Sequence, residues 1–524
     1  MTTAASPRPR FLHRRFSVRG LLRLVFVLVC LITLFALAMA VETWRSAREW
    51  RAWRAAAEAR GERFDWASII PPTPPPEQNF AAIPLFQKLF DYTTGPNGQL
   101  KYRDPAVEDW LKKTTPVLGA EEGERPTPDS PNSWETGSAT NLALWADLYR
   151  GNSNYPPAPD GATPAQTILA ALGQFDAEME ELRTASERPQ SVFPLHYSEG
   201  ASMRLVHREV LGKLESIAVL RALAFGRTGP SERALDELLL AQRLAEALRT
   251  EPTLGSTLTR VGYHRVALQP VWEALAERRL NGEQLTRLQS TLASVNFVPQ
   301  LIVAVQAERA FTWALLERIR TGSVGLKAML GRSPPGPQYQ LLRLHSFSGF
   351  FFYRSELVIS RYFTEGILPV LDPLHGAINF GAFVETNARM KPQLNSPFNL
   401  PAGFLTATYE ELLRRILFVQ AGQSMAVAAC ALERWRLTHD AYPETLDALV
   451  PGLLDQAPVD PFNGQPLHYR RTPASRYLLY SVGGSGRDNG GQPDFTYSRE
   501  PSLTAGNWVW SYEKLNSVWD DETH

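Results

Sequence analysis

Residues 423–440 read QSMAVAACALERWRLTHD, and residues 441–494 continue AYPETLDALVPGLLDQAPVDPFNGQPLHYRRTPASRYLLYSVGGSGRDNGGQPD. The first part predicts a long helix, from about Thr408 to His439, because Tyr442-Pro443 follows and proline lacks the N–H that another helical turn requires. Turn signals, strand-like runs and a glycine-rich loop come next: Asp460-Pro461, Asn463-Gly464, Pro466–Arg470, Arg476–Val482 and Gly483–Gly491. The stretch therefore predicts a helix followed by a small antiparallel sheet.

Three segments of this stretch carry a family resemblance. ALERWRLTHDAYPETLDALVP, DPFNGQPLHY and LYSVG occur in this order over residues 423–494, which resemble the C-terminal domain of the major pseudopilins of type II secretion. The resemblance implies an α+β module in which the long helix lies against the sheet. It covers none of the remaining chain.

The resemblance also implies a possible calcium ion in the loop Ser481–Asp494, where the pseudopilins bind one through backbone carbonyls and aspartates. Asp494 occupies the position of the family's second calcium-binding aspartate, and Ser485 occupies the position of the first. Asp488, three residues later, could supply the missing carboxylate. The alternative is a glycine-rich hairpin turn with solvated acids, and no other cofactor is expected.

The N-terminal region departs from that family. Pseudopilins have a glycine cleavage site followed by phenylalanine and by a glutamate in the apolar helix. Gly20-Leu21-Leu22-Arg23-Leu24 has no such glutamate, so we expect no pilin-type processing or polymerisation.

The stretch Leu24–Val41 holds eighteen uncharged residues, and as a helix it would span about 27 Å, close to the thickness of a bilayer core. Residues 1–23 contain six arginines and no acid. Under the positive-inside rule this pattern predicts a single-pass anchor in the inner (cytoplasmic) membrane, with the N-terminus in the cytoplasm and the body outside it. A cleavable signal peptide ending at Ala38-Met39-Ala40 is the alternative, and it also exports the body.

The rest of the chain is predicted to be mainly α-helical. Apolar residues recur at helical spacing in six segments, which we interpret as stacked antiparallel hairpins: Ala165–Thr184, Ala201–Gly226, Ser231–Thr250, Gly255–Arg279, Gly282–Val295 and Pro299–Thr321. Strands are expected to be concentrated after Gln465. The predicted divisions are a basic tail (1–23), an anchor (24–41), a juxtamembrane helix with a proline-rich spacer (42–79), a helical domain (80–400), and the long helix with the pseudopilin-like module (401–524).

The titratable residues form no recognised catalytic motif. His207 and His264 lie on predicted helices, where surface or core-edge positions are expected, and Asp236, Glu237, Glu273 and Glu277 are expected on solvated helix faces. Beyond residue 23 the chain carries 48 basic and 54 acidic side chains, a balance that excludes a phosphate-neutralising nucleic-acid surface as the main partner site.

The sequence therefore predicts a membrane-anchored, extracytoplasmic protein of a bacterial envelope that acts as a non-enzymatic interaction or scaffold protein. Its expected partners are the membrane and an unidentified envelope protein. Two alternatives remain open: an accessory component of a type II secretion or pilus-like system, and an envelope hydrolase with an unrecognised site.

Overall fold

The computed structural model describes residues 18–95, 99–114, 133–197, 199, 203–229, 231–323, 349–406, 409–473, 475–496 and 500–515. Residues 1–17 of the predicted basic tail (1–23) therefore lie outside the described part of the chain.

Helices dominate the described residues, as the sequence predicts. In chain order they are α1 (Val18–Ala59), α2 (Pro84–Phe90), α3 (Pro105–Thr114), α4 (Leu142–Arg150), α5 (Pro164–Leu172), α6 (Asp176–Ala185), α7 (Val206–Thr228), α8 (Ser231–Glu246), α9 (Leu254–Ala276), α10 (Gly282–Ala293), α11 (Val298–Arg320), α12 (Gly349–Arg361), α13 (Phe380–Leu394), α14 (Leu400–Thr406) and α15 (Tyr409–His439).

Local capping explains where several helices begin. Thr163 and Asn281 each form a capping box with the glutamine three residues later, and Thr253 accepts a hydrogen bond from Ser256 N. The structure confirms a mainly α chain and places helices close to the six predicted segments. The first segment is divided, because the 3₁₀ turn Gly173–Phe175 separates α5 from α6.

Three helical stretches in the described chain are long and apolar enough to cross a membrane: Arg19–Ala59, Gly282–Arg320 and Tyr409–His439. They differ in burial. None of the apolar window of α1 is buried, whereas 44% of the window in Gly282–Arg320 and 83% of the window in α15 are buried. Helix α15 is therefore a core helix, and α1 is the stretch whose apolar surface lacks protein cover.

The chain divides into two compact units. The smaller comprises residues 1–62, 314–358 and 393–404, and the larger comprises residues 63–313, 359–392 and 405–524. In the smaller unit Phe351 stacks on Phe398 with ring centroids 6.3 Å apart. In the larger unit one extensive apolar core joins side chains from α2 and from helices α4 to α9.

The larger unit also contains the sheets. The strands are β1 (Tyr92–Thr94), β2 (Leu100–Tyr102), β3 (Leu371–Asp372), β4 (Ala377–Ile378), β5 (His468–Thr472), β6 (Arg476–Ser481), β7 (Pro493–Phe495), β8 (Pro501–Gly506) and β9 (Trp508–Trp510). Strands β5, β6 and β9 form an antiparallel sheet in that order, and β7 pairs with β8. Helix α15 packs against β6, β8 and β9. The short ribbons β1–β2 and β3–β4 lie before Gln465, but β5 to β9 all follow it, so the described strands are concentrated after that residue, as the sequence predicts.

Candidate functional site

A large cleft runs along α15. It encloses about 1010 Å³ and has four sides: α15 itself, the outer face of α10, the segment Pro369–Asn379 that contains β3 and β4, and the loop Leu453–Gly464. All four belong to the larger unit. A volume at the upper end of the range for ligand sites makes this cleft the leading candidate site.

The floor of the cleft is one face of α15. Its side chains are Gln420, Gln423, Ser424, Val427 and Arg434. Gln423 is only 4% exposed, and its Nε2 donates to His264 Nδ1 over 3.3 Å. Gln420 Nε2 donates to the carbonyl of Gly376 on the neighbouring wall. Among the described residues, neither glutamine Oε1 has a hydrogen-bond partner. The floor thus holds two buried amide acceptors that protein groups leave unpaired.

Gln289 and Asp460 hold the walls of the cleft in place through hydrogen bonds. Gln289 on α10 accepts from Arg434 Nη1 over 2.9 Å and donates through Nε2 to the Leu453 carbonyl over 2.7 Å. Asp460 is 1% exposed, and its carboxylate accepts hydrogen bonds from Ser481 Oγ, Val482 N and Phe462 N. The loop Leu453–Gly464 is therefore tied both to α10 and to the C-terminal sheet. The turn signals Asp460-Pro461 and Asn463-Gly464, found in the sequence, build this wall.

The charged side chains that line the cleft are three carboxylates, Asp372, Asp455 and Asp460, and one guanidinium, Arg434. Asp372 Oδ2 lies 2.6 Å from His375 Nδ1, and this hydrogen bond holds the pKa of Asp372 below its usual value. Arg434 is engaged by Gln289, and Asp460 is saturated by its three donors. Asp455 is exposed. With histidine counted as neutral, three carboxylates against one guanidinium give the lining a formal excess of two negative charges.

A buried polar chain extends behind the floor. His264 is fully buried and its Nε2 lies 2.7 Å from Glu246 Oε1, to which Arg260 Nη2 also donates over 2.6 Å. Arg260 Nη1 then contacts Gln300 Oε1 at 3.2 Å. Burial raises the pKa of Glu246, but the Arg260 charge and the contacts with His264 outweigh it and lower that pKa to about 2. Burial lowers the pKa of His264. The chain therefore links the cleft floor to an ionised carboxylate in the helical core.

A second buried cluster joins His207, Glu251 and Ser256. His207 Nε2 lies 2.6 Å from Glu251 Oε1, and Ser256 Oγ donates to Glu251 Oε2 over 2.5 Å. The carboxylate stands between the other two side chains, so His207 does not take the serine proton as the base of a nucleophilic triad does. The cluster resembles a core hydrogen-bond network.

The expected surface positions of several titratable residues are wrong. His207 and His264 are fully buried, and Glu237 and Glu273 are 2% and 5% exposed. Each buried carboxylate gains a partner that the sequence pattern does not reveal. Arg221 Nε lies 2.8 Å from Glu237, and Arg227 Nη2 lies 2.8 Å from Glu273. Ion pairs between residues of different helices allow charged side chains to be buried in a core.

The proposed calcium ligands lie in one loop region but are used internally. Asp488 Oδ1 accepts from Tyr480 Oη at 3.0 Å and from Gly490 N at 2.8 Å, and Asp494 Oδ1 accepts from Phe495 N at 2.9 Å. Ser485 Oγ donates to the Val482 and Arg487 carbonyls. Within the described residues no three His, Cys, Asp or Glu side chains cluster as metal ligands would. The calcium site stays a prediction.

The glutamines of the floor were not predicted from the sequence, although a signal for them exists. The apolar stripe of α15 contains Ile416, Val419, Val427 and Cys430, and Gln423 falls four residues from Val419 and from Val427. A polar side chain inside an apolar stripe must find buried partners.

Comparison of the chain with protein-family models, curated proteins and solved structures finds no match. The pseudopilin resemblance therefore also stays a prediction.

Proposed function

We propose that this protein is a membrane-anchored interaction protein that binds a partner in the cleft along α15. The cleft is the observation that carries the proposal. It is large, built from four separate parts of the larger unit, and contains two unpaired amide oxygens. Such a combination of volume and convergent polar groups characterises binding sites.

The anchor supports a place at a membrane. Helix α1 has 42 residues, of which Arg19–Ala59 contain an apolar window that no described part of the chain covers. The exported body, the inner membrane and the cytoplasmic N-terminus follow from the arginine distribution and belong to this proposal. A bacterial envelope protein is the partner that this location favours.

The chemistry of the cleft favours binding over catalysis. Its buried unpaired polar atoms belong to the side-chain amides of Gln420 and Gln423. Amides donate and accept hydrogen bonds but do not exchange protons at neutral pH, so the hydrolase alternative would depend on the exposed His375–Asp372 pair of the lining as its general base. The secretion-accessory alternative shares the anchor and the cleft, and the identity of the bound partner would distinguish it.

The test is site-specific photo-crosslinking of the full-length protein in its native membrane. A photoreactive side chain at Ser290, exposed on the α10 wall, should give a discrete crosslinked product. The matched control is the same group at Leu144, which is 47% exposed on α4 and outside the cleft. Identical crosslinking patterns from Ser290 and Leu144, or none from either, would contradict a binding role for the cleft.

A further inference from the structure

We propose that an exposed stripe on α1, formed by Trp44, Arg48 and Arg51 and called the arginine stripe below, binds the headgroups of anionic phospholipids in the leaflet on the side of the body. This inference rests on the proposed function, since it requires the membrane anchor, and it adds the class of lipid that the anchor selects. Its support comes from the position of the stripe, the direction of its side chains and the charges around it.

The arginine stripe continues the uncovered surface of α1 beyond the end of the apolar run. Its three positions are spaced i, i+4 and i+7, so at about 100° per residue they lie within about 60° of one another around the helix. Leu37, which is 61% exposed in the apolar run, falls on the same side. Ser46 and Trp50 lie on the opposite side and are 9% and 3% exposed. The stripe is therefore the face of this part of α1 that the fold leaves open.

The depth of the stripe matches the headgroup layer of a bilayer. The apolar run ends at Val41, so at 1.5 Å per residue the Cα of Trp44 lies about 4.5 Å beyond it and the Cα of Arg48 about 10.5 Å. The polar layer on each side of a bilayer core is about 5–7 Å thick. Trp44 is 62% exposed, and exposed tryptophans are typical of this layer. The stripe therefore begins among the headgroups.

The side chains of the stripe point back toward the membrane. In a helix the Cα–Cβ bonds tilt toward the N-terminus, and the N-terminus of α1 lies on the far side of the proposed span. The Arg48 guanidinium has this direction, because its Cζ lies 5.6 Å from the centroid of the Trp44 ring, one turn nearer the membrane. The charge of Arg48 therefore reaches the depth of the lipid phosphates. Arg51 follows about 4.5 Å farther along the axis, within the Debye length of about 8 Å.

The protein does not neutralise the two arginines of the stripe. Among the described residues Arg48 and Arg51 form no ion pair, whereas Arg45, the next arginine toward the membrane, pairs with Glu42 over 3.0 Å. An anionic headgroup supplies phosphate oxygens in the geometry that a guanidinium binds. A zwitterionic headgroup carries its own cation and gains less. The charge of the stripe therefore favours anionic phospholipids.

An acidic protein surface is the alternative occupant of this face. The stripe begins within one turn of Val41, and none of the apolar window of α1 is buried by the described chain. A protein bound to the stripe would have to displace the headgroups of the lipids that surround this window. Lipid is therefore the favoured occupant.

The experiment identifies the lipids beside the stripe by photo-crosslinking. The full-length protein carries a photoreactive side chain at Val41, which is 49% exposed, and is reconstituted into vesicles of equimolar phosphatidylglycerol and phosphatidylcholine. Mass spectrometry then counts the two kinds of lipid adduct. We expect phosphatidylglycerol adducts to predominate. Arg48→Gln and Arg51→Gln should each lower the ratio of phosphatidylglycerol to phosphatidylcholine adducts about fivefold, the contribution of one arginine near a lipid surface.

Arg60→Gln is the matched control, since it removes the same charge from an exposed position that follows the end of α1, about 27 Å beyond Val41. It should leave the adduct ratio unchanged. Equal adducts of the two lipids, or a ratio that the Arg48→Gln, Arg51→Gln double variant does not lower, would overturn the inference and leave the face to an acidic protein. Release of the full-length protein from membranes by alkaline carbonate would instead overturn the anchor, and with it the proposed function.

Discussion

Glu246 is the residue on which the buried polar chain depends. Its side chain is 17% exposed, and it accepts from both Arg260 and His264. Removing the carboxylate would leave the nearly buried Arg260 guanidinium without its counter-charge, and such a loss typically costs about 3–5 kcal/mol. The network thus makes the helical core sensitive to the protonation of two groups.

The first prediction concerns pH. The pKa of Glu246 is lowered to about 2, so its stabilising contribution is complete above the unfolded value of about 4.5 and is lost as pH falls toward 2. The pKa of His264 is also lowered, and a buried neutral imidazole loses stability as pH falls below about 6.5, where the unfolded chain takes up the proton. The melting temperature should therefore decrease steadily as pH falls from 7 to 3.

Two variants separate these contributions. His264→Gln should flatten the profile between pH 6.5 and 5, and Glu246→Gln should lower stability at pH 7 and flatten the profile below about pH 4.5. Glu180→Gln, an exposed residue that pairs with Arg183, is the control and should keep the full profile. A profile that Glu246→Gln leaves unchanged would contradict the role given to this carboxylate.

At the level of single residues, the sequence predicts the apolar stripes but not the polar groups inside them. Periodicity shows that Val261 and Leu268 face a core, because apolar side chains gain free energy wherever they are buried. The burial of His264 between them depends on Glu246, which comes from another helix. Hydrogen-bond partners that come into contact only in the folded protein leave no local pattern in the sequence.

Helix α15 approaches α9 closely, and Gly422 permits this approach. A Cβ at position 422 would lie 2.9 Å from Leu268 Cδ1 and 2.9 Å from the Trp134 ring. The indole of Trp134 is itself packed against Phe418 and Trp510, so it has little room to move.

We therefore predict that Gly422→Ala destabilises the protein by about 1–2 kcal/mol, because overpacking outweighs the gain in helix propensity. Gly262→Ala on α9 is the matched control, since nothing lies within 4 Å of the added methyl group. That variant should be stabilised by about 0.5–1 kcal/mol. Denaturant or thermal unfolding of both variants provides the measurement, and equal shifts in one direction would refute the close-packing argument.

The loop after β6 carries a third prediction. If it binds calcium, a chelator should lower the melting temperature, because an ion bound only by the folded state stabilises that state. Asp494→Ala should abolish the chelator response, and Asp488→Ala should do the same if Asp488 replaces the ligand that Ser485 lacks. Asp147→Ala, on the surface of α4, should retain it. A melting curve that neither chelator nor added calcium alters would exclude the metal.

Elements were more predictable than the sites between them. Proline at position 443 and the capping residues at 253 and 281 act locally, so the ends of the adjoining helices follow from the sequence. The two-residue strands β3 and β4 are too short to show an alternating pattern. The cleft wall that contains them depends on chain segments far apart in sequence, and it was therefore missed.

The whole molecule is proposed to cross the membrane once, through α1. The stretch Gly282–Arg320, which comprises α10 and α11, and helix α15 have compositions that resemble spans, but both contribute buried side chains to the larger unit. Only α1 has an apolar window without any protein cover among these candidates. The cleft would then face the aqueous phase on the side of the membrane opposite the arginine-rich tail.

Cysteine labelling in intact spheroplasts tests this claim most directly. In a chain with Cys30→Ala and Cys430→Ala, single reporters are placed at Thr2, Leu144, Leu374 and Asp455, so that α1, α11 and α15 each lie between two successive reporters. We predict that a membrane-impermeant maleimide labels Leu144→Cys, Leu374→Cys and Asp455→Cys in intact spheroplasts, and Thr2→Cys only after permeabilisation. Protection of any one of the three body positions, or labelling of Thr2→Cys in intact spheroplasts, would contradict the account.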